Sequence, residues 1–104
     1  MIKTNIPLRI ITALLNVEAV IEVDVLEDIS FNIFTNKYVV KIQDYYLDGT
    51  VRNPIEGSRS IYLDYLTVAT QYGSTLLEKL KQATLVYLQT TMPYGSASNN
   101  WEIV

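Results

Sequence analysis

The chain of 104 residues contains no cysteine and no histidine. Without cysteine there can be no disulfide, no thiolate metal site and no cysteine nucleophile. The absence of histidine removes the commonest general base and the commonest metal ligand. A chain of this length forms one domain, and its stability must come from the packing of a core rather than from covalent or metal cross-links.

Glycine is also scarce, and the four glycines stand alone, so no phosphate-binding loop is present. Ser58, Ser60 and Ser74 have no histidine that could activate them as nucleophiles. No pattern pairs two carboxylates for acid–base chemistry. The sequence therefore predicts a protein that is not an enzyme and has no cofactor, no metal site and no small-molecule substrate.

Charge is low as well, with a net value of −3, and no long apolar run occurs. Residues 1–36 carry two basic and five acidic side chains, so all of the net charge lies in the first third. This balance argues against nucleic-acid binding and against a membrane partner. With no spanning segment and no signal-peptide pattern, we expect a soluble protein that is intracellular or particle-associated.

Residues 37–53, KYVVKIQDYYLDGTVRN, carry the strongest structural signal in the chain. Two alternating runs flank Asp48–Gly49, a pair typical of a two-residue hairpin turn of type I′. This turn predicts that Tyr45 lies directly opposite Arg52. It also divides the first arm into two faces, one with Tyr38, Val40, Ile42 and Tyr46, the other with Val39, Lys41, Gln43 and Tyr45.

Further strands are predicted on the N-terminal side of this hairpin. Residues 19–26 alternate as in a half-buried strand, Glu27–Asp28 is predicted to be a polar turn, and residues 29–33 continue the apolar face. Short connections of this kind describe a meander of adjacent antiparallel strands. Two segments are ambiguous: we expect a short helix over Pro7–Leu15, and strand rather than helix over residues 60–70.

Residues 74–91 are predicted to be an amphipathic helix, begun by Ser74 and stopped by Met92–Pro93. The helix and the sheet each have one apolar face, and packing one on the other in two layers buries both. The fold class is thus α+β: an antiparallel β-meander packed on a C-terminal α-helix, with a short N-terminal helix. We expect one domain over residues 1–92 and a C-terminal tail over 93–104.

Three features are candidates for function, and the first is an acidic run in the first third. Its members are Glu18, Glu22, Asp24, Glu27 and Asp28. The run could bind a divalent cation or meet a basic partner. It has no calcium-loop spacing, however, and a solvated strand face whose charges discourage edge pairing is the simpler interpretation.

The second feature is the set of eight tyrosines, a residue type enriched at protein interfaces. Tyr45 and Tyr46 are neighbours in a strand, so they point to opposite faces and one of them lies outside the core. Tyr45 with Arg52 is the pair we predict to form a contact surface. Local cross-strand packing with cation–π character is the alternative.

The third feature is the end of the chain, where a polar segment leads to Trp101, Ile103 and Val104. This segment could be an arm that docks on a neighbouring subunit by strand addition. Alternatively, Trp101 folds back over its own core. The predicted partner-binding residues are therefore Tyr45, Arg52, Trp101, Ile103 and Val104.

Together these features predict a structural or interaction protein that is a subunit of a larger assembly. The chain is 49% hydrophobic and only 18% charged, which leaves apolar surface outside one small core. Its composition, size and tyrosine-bearing hairpin resemble those of small subunits of viral particles, although no motif carries the resemblance. The expected partners are copies of the chain or other subunits. The alternative is a small acidic inhibitor or adaptor that uses residues 18–28 to occupy a basic site on a partner.

Overall fold

The computed structural model describes residues 2–12, 14–91 and 100–103. These residues form eight strands and two helices in the order β1, β2, β3, β4, β5, β6, β7, α1, α2, β8. Their bounds are Ile2–Thr4, Leu8–Ile11, Asn16–Ala19, Ile21–Asn32, Lys37–Asp48, Val51–Pro54, Arg59–Asp64, Tyr65–Ala69, Leu76–Thr91 and Trp101–Ile103. The fold is mainly antiparallel sheet with a C-terminal helix, which confirms the α+β class.

The main sheet is organised around β4 and β5, which are its two longest strands. Its order is β6-β5-β4-β1-β8, and β7 also pairs with β5. The edge of β5 that faces away from β4 therefore pairs with two strands. These are β7 along the first half of β5 and β6 along its last four residues. All of these pairings are antiparallel.

Strand β4 corrects the turn predicted at Glu27–Asp28. Ile21–Asn32 is one continuous strand, and the register against β5 shifts between Val25 and Ile29. Three residues of β4 there lie opposite one residue of β5, so the polar pair belongs to a bulge and the chain does not reverse. The four-strand meander that included a turn at this point is not confirmed; β4, β5 and β6 are consecutive neighbours.

The turn between β5 and β6 lies one residue later than predicted. Asp48 pairs with Val51, so the two-residue loop is Gly49–Thr50 and Leu47, not Tyr45, lies opposite Arg52. Gly49 has a φ of 63°, whereas Thr50 is not among the residues with positive φ. Positive φ at the first loop residue alone is the pattern of a type II′ turn, in which glycine takes that position.

The short helix predicted over Pro7–Leu15 is wrong. Leu8–Ile11 is a strand that pairs with Asn16–Ala19 in a separate two-stranded sheet. Leu8 and Ile10 alternate with exposed Arg9 and Ile11, and the two buried residues join the core. A period of two and a period near 3.6 both fit so short an apolar run, and pairing with β3 decides between them.

The ambiguous segment over residues 60–70 contains both structures. Arg59–Asp64 is strand β7, and Tyr65–Ala69 is helix α1. The ladder ends where Asp64 pairs with Lys37, because Lys37 is the first residue of β5. Beyond that point no partner strand continues, and the chain turns into a helix despite its β-branched and aromatic residues.

Helix α2 begins with a capping arrangement that fixes its first turn. Thr75 Oγ1 accepts a hydrogen bond from the Glu78 amide at 3.2 Å, and Glu78 Oε2 accepts one from the Ser74 amide at 2.7 Å. Thr75, rather than the predicted Ser74, is therefore the N-cap residue. The Ser74 amide and then its hydroxyl hold the pKa of Glu78 below its ordinary value.

The core lies between the sheet and the two helices. Buried side chains of the sheet share one cluster with the buried face of α2, made by Leu80, Ala83 and Leu88, and with Val68 of α1. The long strands of the sheet contribute alternate residues, among them Val40 and Ile42 of β5, as predicted. Sheet and helices thus form the expected two layers.

The C-terminal residues that the structure describes form a strand of the same sheet. Trp101–Ile103 pairs with β1, with Trp101 opposite Thr4 and Ile103 opposite Ile2. Three residues of the tail predicted over 93–104, Trp101–Ile103, therefore belong to the domain's own sheet. Neither of the helices formed by the described residues has the length and apolar character needed to cross a bilayer.

Candidate interaction surface

One side of the main sheet has neither of the two described helices over it, and we call this side the outer face. In β5 its residues are Val39, Lys41, Gln43, Tyr45 and Leu47, which alternate with the core-facing residues. The register places Arg52 of β6 and Tyr62 of β7 on the same side. Among the described side chains of this face, only Glu22 is buried. The outer face is thus a broad, largely uncovered strand surface.

Tyr45 and Arg52 are in contact on the outer face, in the local cation–π packing that the sequence analysis gave as the alternative to a contact surface. The guanidinium carbon of Arg52 lies 4.0 Å from the centre of the Tyr45 ring. Because Arg52 pairs with Leu47, the contact is diagonal rather than directly cross-strand. A cation over a tyrosine ring is attracted by the negative charge of the ring face.

Arg52 is held at this position by two carboxylates of β4. Its Nε lies 2.7 Å from Oε1 of Glu22, and its Nη2 lies 2.9 Å from Oδ1 of Asp24. The N–H of Nε is not aligned with that Glu22 oxygen, so this contact is an ion pair rather than a hydrogen bond. Burial lowers the pKa of Arg52, but Asp24 and Glu22 outweigh this effect and raise it above its ordinary value. Arg52 therefore stays charged and fixed over the ring.

The acidic run is divided among several basic partners of the same chain. Glu18 lies 3.3 Å from Arg9, and Asp28 lies 2.8 Å from Lys41. The Asp28 carboxylate raises the pKa of Lys41 by hydrogen bonding and by its charge. In the part of the chain that the structure describes, no three acidic side chains come together as a metal site would need. Four carboxylates of the run, those of Glu18, Glu22, Asp24 and Asp28, are thus ion-paired within the chain.

Tyr62 is a residue of the outer face that the sequence reasoning left out. It pairs with Val39 and its side chain is 63% exposed. It lies about 20 Å from Tyr45 along β5, at about 3.3 Å per residue. The alternation of Tyr62 with buried Ile61 and Leu63 was the available signal, but it was obscured because residues 60–70 also fit a helix.

The three tail residues predicted to bind a partner differ in their placement. Trp101 is 3% exposed and belongs to the core. Of the two alternatives, docking on a neighbouring subunit or folding back over its own core, the structure shows the second. This corrects its assignment as a residue available to a partner. Ile103 is 36% exposed at the sheet edge, and Val104 lies outside the described residues. Binding of a partner by Ile103 stays a prediction.

A cleft of about 490 Å³ lies beside one ion pair of the core-facing side. Asp44 is 4% exposed, and its carboxylate accepts hydrogen bonds from Nε and Nη2 of Arg59 at 3.0 and 3.4 Å. The two hydrogen bonds from one guanidinium fix the positions of both side chains. We therefore read the pair as structural support for the loop over residues 55–58.

Comparisons with protein-family models, with curated proteins and with solved structures found no match to this chain. The account of its function therefore depends on the surface geometry alone.

Proposed function

We propose that this protein is a non-enzymatic structural or interaction protein, a subunit of a larger assembly that binds its neighbours through the outer face. The observation that carries the proposal is the asymmetry of the main sheet. One side is buried under α1 and α2, and the other exposes aromatic and aliphatic side chains among ion pairs that are satisfied within the chain.

The contact surface has two parts along β5. At one end lie Tyr45, Leu47 and Arg52, and at the other end lie Val39 and Tyr62. Tyrosine and arginine are enriched among the residues that dominate binding energy at interfaces. The cluster of Arg52 with its two carboxylates fixes both charge and ring before a partner arrives, so little conformational freedom is lost on binding.

Packing of apolar rings, rather than charge, is expected to drive the association. The carboxylates of Glu22, Asp24 and Asp28 already have basic partners within the chain. A partner would therefore meet a surface with little uncompensated charge. For the same reason the alternative of an acidic inhibitor or adaptor has less support, because its carboxylates would first have to leave their partners.

The assembly that we envisage is built from copies of the chain, from other subunits, or from both, and a viral particle is one setting that fits its size and composition. The proposal includes no nucleic acid, membrane or small-molecule ligand. That the protein is soluble, and that it is located inside a cell or in a particle, are parts of the same proposal.

Sedimentation velocity across a concentration series tests the proposal, with the wild type compared at low and high salt. We expect the mass to rise with concentration and the association to persist at high salt, since apolar contacts are not screened. Tyr62→Ser removes an exposed ring of the outer face and is expected to weaken association. Tyr72→Ser is the matched control, because Tyr72 is 91% exposed and lies outside the sheet.

Two results would contradict the proposal. Association that disappears at high salt would favour the acidic decoy. Equal weakening by Tyr62→Ser and Tyr72→Ser would mean that the outer face has no special part in it.

A further inference from the structure

We propose that copies of this chain bind head to tail, with the turn between β4 and β5 of one copy inserted into an apolar groove at the far end of the next. This inference rests on the proposal that the chain assembles, and it names a second copy as the partner and the contact that joins the copies.

The inserting feature is the tip of the β4–β5 turn, and we call Ile33 and Phe34 the knob. Their side chains are 75% and 92% exposed. Two adjacent apolar side chains with such exposure at the end of a long hairpin are unusual on a surface that meets only water. The knob therefore needs a cover that the described residues of its own chain do not supply.

The knob is held rigidly. Asn32 Oδ1 accepts hydrogen bonds from the amides of Phe34 at 2.9 Å and Thr35 at 3.3 Å, which closes the turn locally. Below the turn, the rings of Phe31 and Tyr38 meet edge to face with their centres 4.8 Å apart. A side chain presented by a closed turn loses little freedom when it binds.

The receiving feature is a groove of about 300 Å³ lined by Leu14, Leu15, Tyr46, Pro54 and Ile55, with Thr12 and Glu56 completing it. Ile55 is buried within it, whereas Leu14 at its rim is 99% exposed. A cavity of about 150 Å³ is large enough to hold benzene. The groove thus has room for the phenyl ring of Phe34.

The knob and the groove lie at opposite ends of the molecule. The turn precedes Lys37, the first residue of β5, whereas Tyr46 lies near its last residue, Asp48. Twelve strand residues span about 36 Å, and the longest dimension of the molecule is 39 Å. The knob of one chain therefore cannot reach the groove of the same chain, and a contact between unlike ends repeats from copy to copy.

Charge at the two ends favours this orientation. Lys37 follows the knob, is 45% exposed and has only a long contact of 3.8 Å to Asp64. Glu56, at the edge of the groove, is exposed and acidic. In a head-to-tail contact these opposite charges approach each other.

The size of the contact sets its strength. One aromatic ring buries about 150–250 Å², so the knob and the rim of the groove together cover less than the roughly 1,200 Å² of a standard interface. A single contact is therefore weak, and association is expected only at high concentration or where repeated contacts reinforce one another.

A complementation experiment with the full chain tests the inference. Phe34→Ser removes the knob and keeps the groove, whereas Leu14→Asp charges the rim of the groove and keeps the knob. Both positions are almost fully exposed, so both variants are expected to unfold at the wild-type midpoint. Ile33→Ser is a second knob variant, and Tyr72→Ser is the control.

In sedimentation velocity the wild type is expected to form species that grow with concentration beyond the dimer. Phe34→Ser and Leu14→Asp alone are each expected to associate at least about tenfold more weakly. Mixed in equal amounts, they are expected to form a complex of two chains and nothing larger, because one intact knob then meets one intact groove.

Three results would overturn the inference: a wild type that stays monomeric, a Phe34→Ser variant that associates like the wild type, or a mixture that restores no complex. If association survives Phe34→Ser but is lost in Tyr62→Ser, the head-to-tail contact is wrong and the proposed function stands. The reverse pattern would keep the head-to-tail contact and remove the outer face from the proposed function.

Discussion

Arg52 lies over the ring of Tyr45 at 4.0 Å, although the two residues are not paired in the sheet. The turn that joins their strands is displaced by one residue from its predicted place, which moves the pairing register by two. Because side chains alternate with a period of two, an even shift leaves both residues on the same face. Tyr45 and Arg52 therefore share one face of the sheet, as predicted, although the predicted turn and pairing are wrong.

The first prediction concerns the ion pairs of Arg52. Arg52→Gln leaves the carboxylate of Glu22, whose side chain is 11% exposed, without its basic partner. Because Arg52 and Asp24 are both about one-third exposed, the expected cost is about 2 kcal/mol of unfolding free energy rather than the larger value of a fully buried pair. Urea denaturation at neutral pH measures it.

A double variant gives the control for this prediction. Glu22→Gln combined with Arg52→Gln leaves no buried charge and is expected to be more stable than Arg52→Gln alone. Lys41→Gln, which removes an exposed pair with Asp28, is expected to change stability little. A double variant less stable than the single one would contradict our account of the cluster.

The second prediction concerns pH and the start of α2. The amide and hydroxyl of Ser74 lower the pKa of Glu78, so the charged carboxylate stabilises the folded state. This stability is present above the ordinary pKa of 4.5 and is lost as the pH falls below it. The difference in stability between the wild type and Glu78→Gln should be largest near neutral pH and shrink in acid.

Thr75→Ala tests the N-cap of α2 separately from the ionisation of Glu78. Loss of the N-cap oxygen is expected to cost about 1 kcal/mol at both neutral and acidic pH, because threonine does not titrate. Denaturation curves at several pH values measure both variants. A Glu78→Gln difference that is the same at every pH would contradict the assignment.

The third prediction concerns the turn between β5 and β6. Gly49 has a φ of 63°, so Gly49→Ala is expected to destabilise the fold by about 1 kcal/mol. Gly57→Ala is the matched control, since Gly57 does not have positive φ and a methyl group there meets open space. Equal effects of the two substitutions in urea denaturation would show that the turn is not at Gly49–Thr50.

The fourth prediction concerns the C-terminal strand. Trp101 is the single tryptophan, and the structure buries it in the core of its own chain. Trp101→Ala is expected to cost about 3 kcal/mol in a dilute, monomeric sample. An arm that docks only on a neighbouring subunit would give a dilute monomer of unchanged stability, with a tryptophan open to aqueous quenchers.

The features that the sequence predicted well are those set by local periodicity. The alternation over residues 37–47 assigns Val40 and Ile42 to the core, and the apolar stripe of α2 assigns Leu80 and Ala83 to it. Each pattern is long enough to distinguish the two-residue period of a strand from the period of about 3.6 residues of a helix. The α+β class follows from these two segments.

The features that the sequence did not predict depend on distant partners. Leu8–Ile11 is a strand because Asn16–Ala19 pairs with it, and β7 ends at Asp64 because β5 begins at Lys37. The bulge after Val25 carries polar residues that resemble a turn. The exposure of Phe34 follows from its place at the tip of the β4–β5 turn, which only the fold shows.

The most direct test of the central claim is hydroxyl-radical footprinting of the tyrosines in dilute and concentrated samples. Tyr62 and Tyr72 are both exposed in the single chain, at 63% and 91%. If the outer face of the sheet binds neighbouring subunits, labelling of Tyr62 falls with concentration while labelling of Tyr72 stays constant. Unchanged labelling of Tyr62 in samples that have associated would contradict the claim.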